Sequence, residues 1–231
     1  AASAHNHVMK LLALDTATEA CTVALWLDGH VLERNEPGGQ HAERLLPMVD
    51  ALLAEAGLVL TQLDALAFGR GPGSFTGLRI GAGVTQGLAF GAGLPVVPVS
   101  SLAALAQGVD APKVLAAFDA RMQQVYWGAY RRNPQGHMEL QGNEQVLTPV
   151  RVPVPDGEGW VGAGPGWDAY HAGLQARLGK GLTAWRPQKL PQARHVAELA
   201  VTAFRKGAAL SADLALPVYL RDDVAVKQLS R

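Results

Sequence analysis

From residue 10 onward, short apolar runs alternate with segments in which apolar residues recur every three or four positions. Residues 10–14 form a first apolar run that ends in Asp15. A polar turn, Thr16-Ala17-Thr18-Glu19-Ala20, leads to a second run over 21–27. Asp28-Gly29 is then a strong hairpin signal into 31–34, so the chain is predicted to open with a three-strand meander. Residues 40–57 carry Leu45, Val49, Leu52, Leu53 and Ala56 at helical spacing, with Pro47 predicting a kink or a late start. A strand over 63–68, a helix over 77–91, a strand over 95–99 and a helix from Ser100 or Ser101 to Gln107 follow. The order β-β-β-α-β-α-β-α describes a mixed sheet with helices.

The opening pattern then returns after a linker at 108–112. An apolar run over 114–118 ends in Asp119, and after a turn comes a second strand over 125–130. Asn133-Pro134-Gln135-Gly136 makes the next hairpin turn, into a strand over 138–146. Residues 149–156, rich in proline and valine, read as an extended connection. A strand over 160–164 and helices over 167–178 and 193–204 complete the chain. The pattern predicts an internal duplication: an α/β protein of two βββαβα-type lobes, 9–107 and 108–231, with Asp15 and Asp119 at equivalent hairpins. The last residues, from Pro217, are expected to reach back across the first lobe.

The most unusual stretch is 69–91, GRGPGSFTGLRIGAGVTQGLAFG. A buried strand runs into Gly69, Gly71, Pro72 and Gly73, and Ser74 or Thr76 can cap the helix that follows. Strand, glycine turn and helix N-terminus can together cradle an anion, so Gly71, Gly73 and Ser74 are candidate anion contacts. Neither a Walker motif nor a dinucleotide fingerprint is present, and a tight turn without ligand fits the spacing equally well. On a helical wheel, Gly77, Ile80, Gly81, Gly83, Val84, Gly87, Leu88 and Gly91 share one face, with Leu78, Ala82, Thr85 and Ala89 opposite. Each glycine costs a helix about 1 kcal/mol relative to alanine. Close approach of a second backbone to a smooth face is the expected compensation. The helix over 40–57 is expected beside it, adding Gln40, His41, Arg44, Leu45 and Val49 to one association surface. Alone, the protein is expected to form a homodimer through that surface.

Composition narrows the functional classes. Twenty basic and twenty acidic residues cancel, which argues against a general nucleic-acid surface. The single cysteine, Cys21, excludes an internal disulfide and fits a reducing compartment, hence a cytoplasmic protein. No apolar stretch is long enough to span a bilayer as a helix, so no membrane is expected as a partner. Residues 1–8 lack the features of a signal peptide and read as a vector-derived remnant before a native start at Met9-Lys10.

Five motifs lie in order over nearly the whole chain: LLALDTATEACTVALW, HAERLLPMVDALLAEAG, GRGPGSFTGLRIG, AAFDARMQQVYWGAY and PVYLRDDVA. Together they closely resemble the TsaB (YeaZ) family of bacterial tRNA threonylcarbamoyladenosine biosynthesis. The resemblance implies the two-lobed actin-like and sugar-kinase-like (ASKHA) fold. It also implies a scaffold subunit without catalysis of its own, which binds and activates the paralogous catalytic subunit TsaD together with the ATPase TsaE. Contact with tRNA is then expected only through the complex, with ATP or ADP at the joint with the partner and no tightly bound cofactor. Two metal-binding histidines of TsaD correspond here to Ser101 and Leu105, so no metal is expected.

Asp15 and Asp119 occupy loops that contact nucleotide phosphates or their metal in kinase-like folds, or they are turn aspartates bonding their own backbone. Arg121, two residues after Asp119, places a cation where a phosphate could pair with it. A nucleotide-dependent small-molecule kinase or hydrolase is the competing reading. It needs a base and a phosphate cradle on both lobes, and neither is visible. A glycoprotease is a third, opposed by the lack of metal histidines and of a nucleophile elbow around Ser74.

Overall fold

In the computed structural model, which describes residues 7–221, two five-stranded sheets repeat one topology. The first contains β1 (Lys10–Asp15), β2 (Cys21–Leu27), β3 (His30–Glu36), β4 (Ala65–Gly69) and β5 (Val96–Val99), in the order β3-β2-β1-β4-β5. The second contains β6 (Lys113–Asp119), β7 (Val125–Arg132), β8 (Met138–Leu147), β9 (Trp160–Ala163) and β10 (Leu182–Arg186), in the order β8-β7-β6-β9-β10. In each, an antiparallel meander is extended by two parallel strands reached through crossovers. This is the two-lobed, actin-like arrangement.

Alternation in β1 explains the layering. Leu12 and Leu14 face one way, against α1 (His41–Ala56) and α2 (Phe75–Ala92), while Leu11 and Ala13 face the other. That second face is covered not by the nearest helix in sequence but by α5 (Ala193–Arg205), through Val196, Ala197, Ala200 and Val201. Reciprocally, α3 (Ser101–Gln107) packs Leu102, Leu105 and Ala106 against Val114, Ala116 and Phe118 of the second sheet. The outer face of that sheet holds Trp127 and, on α4 (Pro165–Leu178), Trp167 and Leu174. The layers therefore run α1–α2, first sheet, α5 with α3, second sheet, α4.

Each half of the chain thus contributes one helix to the layer between the sheets, and α3, apolar on nearly all sides, fills the space there. Pro47 neither breaks α1 nor delays its start, which lies at His41. Strand β10 was not anticipated. Residues 209–221 lie along the first lobe, where Val96 and Leu210 exchange backbone hydrogen bonds of 2.8 Å. Residues 222–225 of the last motif lie outside the described residues.

Candidate functional site

The two Asp-ended hairpins and the glycine turn meet at a cleft of about 1420 Å³ between the lobes. From the first lobe it is lined by Thr18, Gly73, Ser74, Phe75 and Thr76, and from the second by Asp119, Arg121, Met122, Tyr126 and Ala169. Asp15 and Gly71, also candidates for an anion contact, lie buried outside this lining.

The two aspartates make the same local bond. The Ala17 N–H donates to Asp15 Oδ1 and the Arg121 N–H to Asp119 Oδ1, each at 2.9 Å, so both are turn aspartates engaged with their own backbone. Their environments differ. Asp15 is 1% exposed and accepts from the Ser101 hydroxyl at 2.7 Å. Burial pushes its carboxyl up to about 6, against the opposing pull of the Ala17 N–H and the Ser101 hydroxyl. Asp119 stays near the surface, with the Arg121 guanidinium 3.6 Å away.

Three N–H groups of the glycine turn and the start of α2 bond within the chain. The Gly71 N–H donates to Ser101 Oγ at 3.3 Å, the Ser74 N–H to the Ala17 carbonyl at 2.8 Å, and the Gly77 N–H to Ser74 Oγ at 3.3 Å, so Ser74 is the cap of α2. A Cβ on Gly69 would lie 1.7 Å from Asp15 Oδ2, one on Gly77 2.1 Å from the Thr16 carbonyl oxygen, and one on Gly81 2.3 Å from Thr16 Oγ1. The glycines there admit the β1–β2 turn. Asp15 is thus closed off from the cleft, while Gly73, Phe75 and Thr76 line it and Arg121 faces Asp119.

The predicted association face accordingly divides. Gly77 and Gly81 are buried against the chain itself, whereas a Cβ on Gly83, Gly87 or Gly91 meets nothing within 4 Å. Ile80, Val84 and Leu88 are half-buried between these open glycines and the core, and Phe90 is 83% exposed beside them. On α1, Leu45 and Val49 are core residues, because the helix turns that stripe onto β1 and β2, and they offer no free surface. His41 is also buried; its Nε2 bonds the Thr18 carbonyl at 2.8 Å and ties α1 to the β1–β2 turn. Gln40 is exposed, and Arg44 holds Glu36 at 2.7 Å and Gln40 at 3.0 Å. The outward positions of α1 instead include Leu46 and Pro47.

Ser101, as noted, holds Asp15, and Leu105 is buried between the lobes. Among the described residues, no group of three or more His, Cys, Asp or Glu could hold a metal ion, and no helix is long and apolar enough to cross a membrane.

A polar cluster that the sequence did not reveal joins the lobes. Glu144 of β8 accepts from Tyr130 Oη at 2.5 Å and from the Ser100 hydroxyl, and lies 3.4 Å from the Arg70 guanidinium. Burial, then the Glu144 charge, pushes the Tyr130 phenol well above its ordinary value. Nothing in the spacing of these four residues marks them as neighbours.

Comparison with known proteins adds identity to this geometry. The model of the family described as "TsaD: tRNA N6-adenosine threonylcarbamoyltransferase" matches residues 37–228. The tRNA threonylcarbamoyladenosine biosynthesis protein TsaB of Escherichia coli is 46% identical, covering 96% of this chain and 98% of that protein. Its counterpart from Haemophilus influenzae is 43% identical, covering 96% and 97%. The solved structure of YeaZ from Pseudomonas aeruginosa superposes with a TM-score of 0.84 at 50% identity, covering 92% of this chain and all of that one. The chain belongs to the TsaB family, within the wider group that the TsaD model describes.

Proposed function

We propose that this member of the TsaB family is a scaffold subunit of tRNA threonylcarbamoyladenosine biosynthesis, seated through α2 and the outer face of α1 against the catalytic paralogue TsaD. TsaE joins the same assembly, and tRNA is met through the complex. The observation that carries this reading is the open half of α2. Gly83, Gly87 and Gly91 have empty space where a side chain would stand, beside the exposed Phe90 and the half-buried Val84 and Leu88. An internal helix normally replaces such glycines with alanine at a gain of about 1 kcal/mol each, so a smooth surface left open points to a second backbone. The same surface pairs two copies when the partner is absent.

The Gly71 and Ser74 N–H groups, bonded within the chain, and the burial of Asp15 support a subunit without phosphoryl-transfer chemistry. We assign ATP or ADP, where the assembly uses it, to the joint with the partner.

The test is Gly87→Leu. Because a Cβ at this position meets nothing within 4 Å, the monomer should keep its fold. Sedimentation should show loss of the homodimer and weakened association with TsaD, and threonylcarbamoyl transfer by the reconstituted complex should fall. A folded variant with unchanged self-association and unchanged binding to TsaD would place the interface elsewhere. Transfer by TsaD and TsaE at full rate without this chain would refute the scaffold role itself.

A further inference from the structure

Residues 209–221 follow a path that touches both lobes. After the Val96–Leu210 bridge, Gln86 of α2 donates to the Ala215 carbonyl at 3.0 Å and the Val218 N–H donates to the Arg70 carbonyl at 2.8 Å. The Tyr219 ring meets Phe75 at the start of α2, with centroids 5.3 Å apart. Arg221 then leaves the first lobe. Its guanidinium donates to Gln124 Oε1 at 2.5 Å and reaches the Met122 sulfur at 3.3 Å, both in the β6–β7 turn of the second lobe. That turn holds Arg121, Met122 and Gln123 at φ of 60°, 50° and 57°, a conformation that non-glycine residues keep only when their surroundings hold it.

The path is also written into the first lobe. At Gly71, with φ of 101°, a Cβ would stand 2.9 Å from the Val218 carbonyl oxygen, so this glycine leaves room for the passing segment. Tyr219 and Arg221 both line the cleft. The segment thus spans the cleft from the N-terminal end of α2 to the opposite hairpin.

We propose that residues 209–221 are a strap that holds the inter-lobe cleft at one opening, with Arg221 as its clasp on the second lobe. The Arg70–Glu144–Tyr130 cluster is a second tie between the same lobes. A cleft that works by closing on a ligand needs hinges free to bend; one tied across by its own chain presents a fixed surface instead. Every contact of the strap lies within one chain.

The experiment is a distance measurement across the cleft. Thr76→Cys on the first lobe and Ala169→Cys on the second are exposed positions for spin labels. The native Cys21 is fully buried, and burial pushes its thiol up to about 11, which keeps it unlabelled. Labelled protein is diluted into excess unlabelled protein so that pulsed dipolar spectroscopy reads only pairs within one chain. The strapped protein should give one narrow distance distribution. Arg221→Ala should at least double its width, and Gln124→Ala, which removes the acceptor from the other lobe, should do the same without touching the C-terminal segment. Distributions equally narrow in both folded variants, or a parent distribution already as broad as theirs, would overturn the proposal.

Discussion

Replacing Asp15 by asparagine should stabilise this protein at neutral pH. The carboxyl is 1% exposed, at the end of β1, and has two hydrogen-bond partners, the Ala17 N–H and the Ser101 hydroxyl. Burial raises it from the ordinary 3.8 to about 6, so the folded protein binds its proton more tightly than the unfolded chain does. Its contribution to stability is then fully present below about pH 3.8 and is lost as pH rises through about 6. At about 1.4 kcal/mol per pH unit, that loss approaches 3 kcal/mol at pH 7.5 as an upper figure. Asparagine copies the protonated form: its carbonyl accepts from Ala17 and its amide donates to Ser101 Oγ. We expect Asp15→Asn to be about 1–3 kcal/mol more stable at pH 7.5 and equal to the parent near pH 4. For a chain of this size that corresponds to a melting temperature higher by several degrees. Urea denaturation of both proteins, followed by circular dichroism at pH 4 to 7.5, gives the difference curve, in which other titrating groups cancel. A variant destabilised at pH 7.5, with a difference that does not change between pH 4 and pH 7, would refute the reasoning. It would mean that the two donors hold the ionised carboxylate strongly enough to outweigh its burial.

The glycines of α2 should separate by position. Gly81→Ala puts a methyl group 2.3 Å from Thr16 Oγ1 and should cost about 1–3 kcal/mol, whereas Gly83→Ala meets open space and should gain up to about 1 kcal/mol; thermal melts of the two variants decide. Glu144→Gln leaves the shape of the inter-lobe cluster but removes the charge that Arg70, Tyr130 and Ser100 share, and should lower stability by about 1–3 kcal/mol in urea titrations. Because Tyr130 is fully buried under the Glu144 charge, its phenol should resist ionisation in an ultraviolet titration up to the pH at which the protein unfolds, and a Tyr130 that titrates in the folded state would contradict that placement.

The strands and most helices were legible because each carries a local signal, a short apolar run bounded by turns for the strands and helical spacing for the helices. The apolar runs over 10–14 and 21–27, the turn at Asp28-Gly29 and their recurrence over 114–130 mark two meanders, and the sheets repeat one strand order. What the sequence could not supply is the partner of each apolar face. Helix α5 has a stripe of Val196, Ala197, Ala200 and Val201 that would suit either sheet. It covers the first because α3, short and apolar almost all round, occupies the matching face of the second. Burial of both helices between the sheets is a property of the whole assembly of elements, and no local pattern encodes it. The same holds for Arg70 and Ser100 of the first lobe, which meet the Tyr130–Glu144 pair of β7 and β8 only after the lobes are placed.

The glycine stretch shows where the limit falls within one helix. At about 100° per residue a wheel spreads these glycines over one broad arc, with Gly77 and Gly81 at one edge and Gly83 and Gly87 towards the other, about 160° separating Gly81 from Gly83. In the fold the first two lie under the β1–β2 turn, so close that a methyl group would enter Thr16, while the other two look outward. Helical spacing gives these directions; it does not say which edge of the arc meets the rest of the chain. Here the β1–β2 turn lies against the edge that holds Gly77 and Gly81, while the edge that holds Gly83 and Gly87 looks outward, so the stripe divides into an internal seam and an open surface. The first part of the stripe is explained without any partner, since its glycines are compensated by contact with the chain itself. The second part has no such compensation in the monomer, and it is those glycines, beside Val84, Leu88 and Phe90, that point to an association surface.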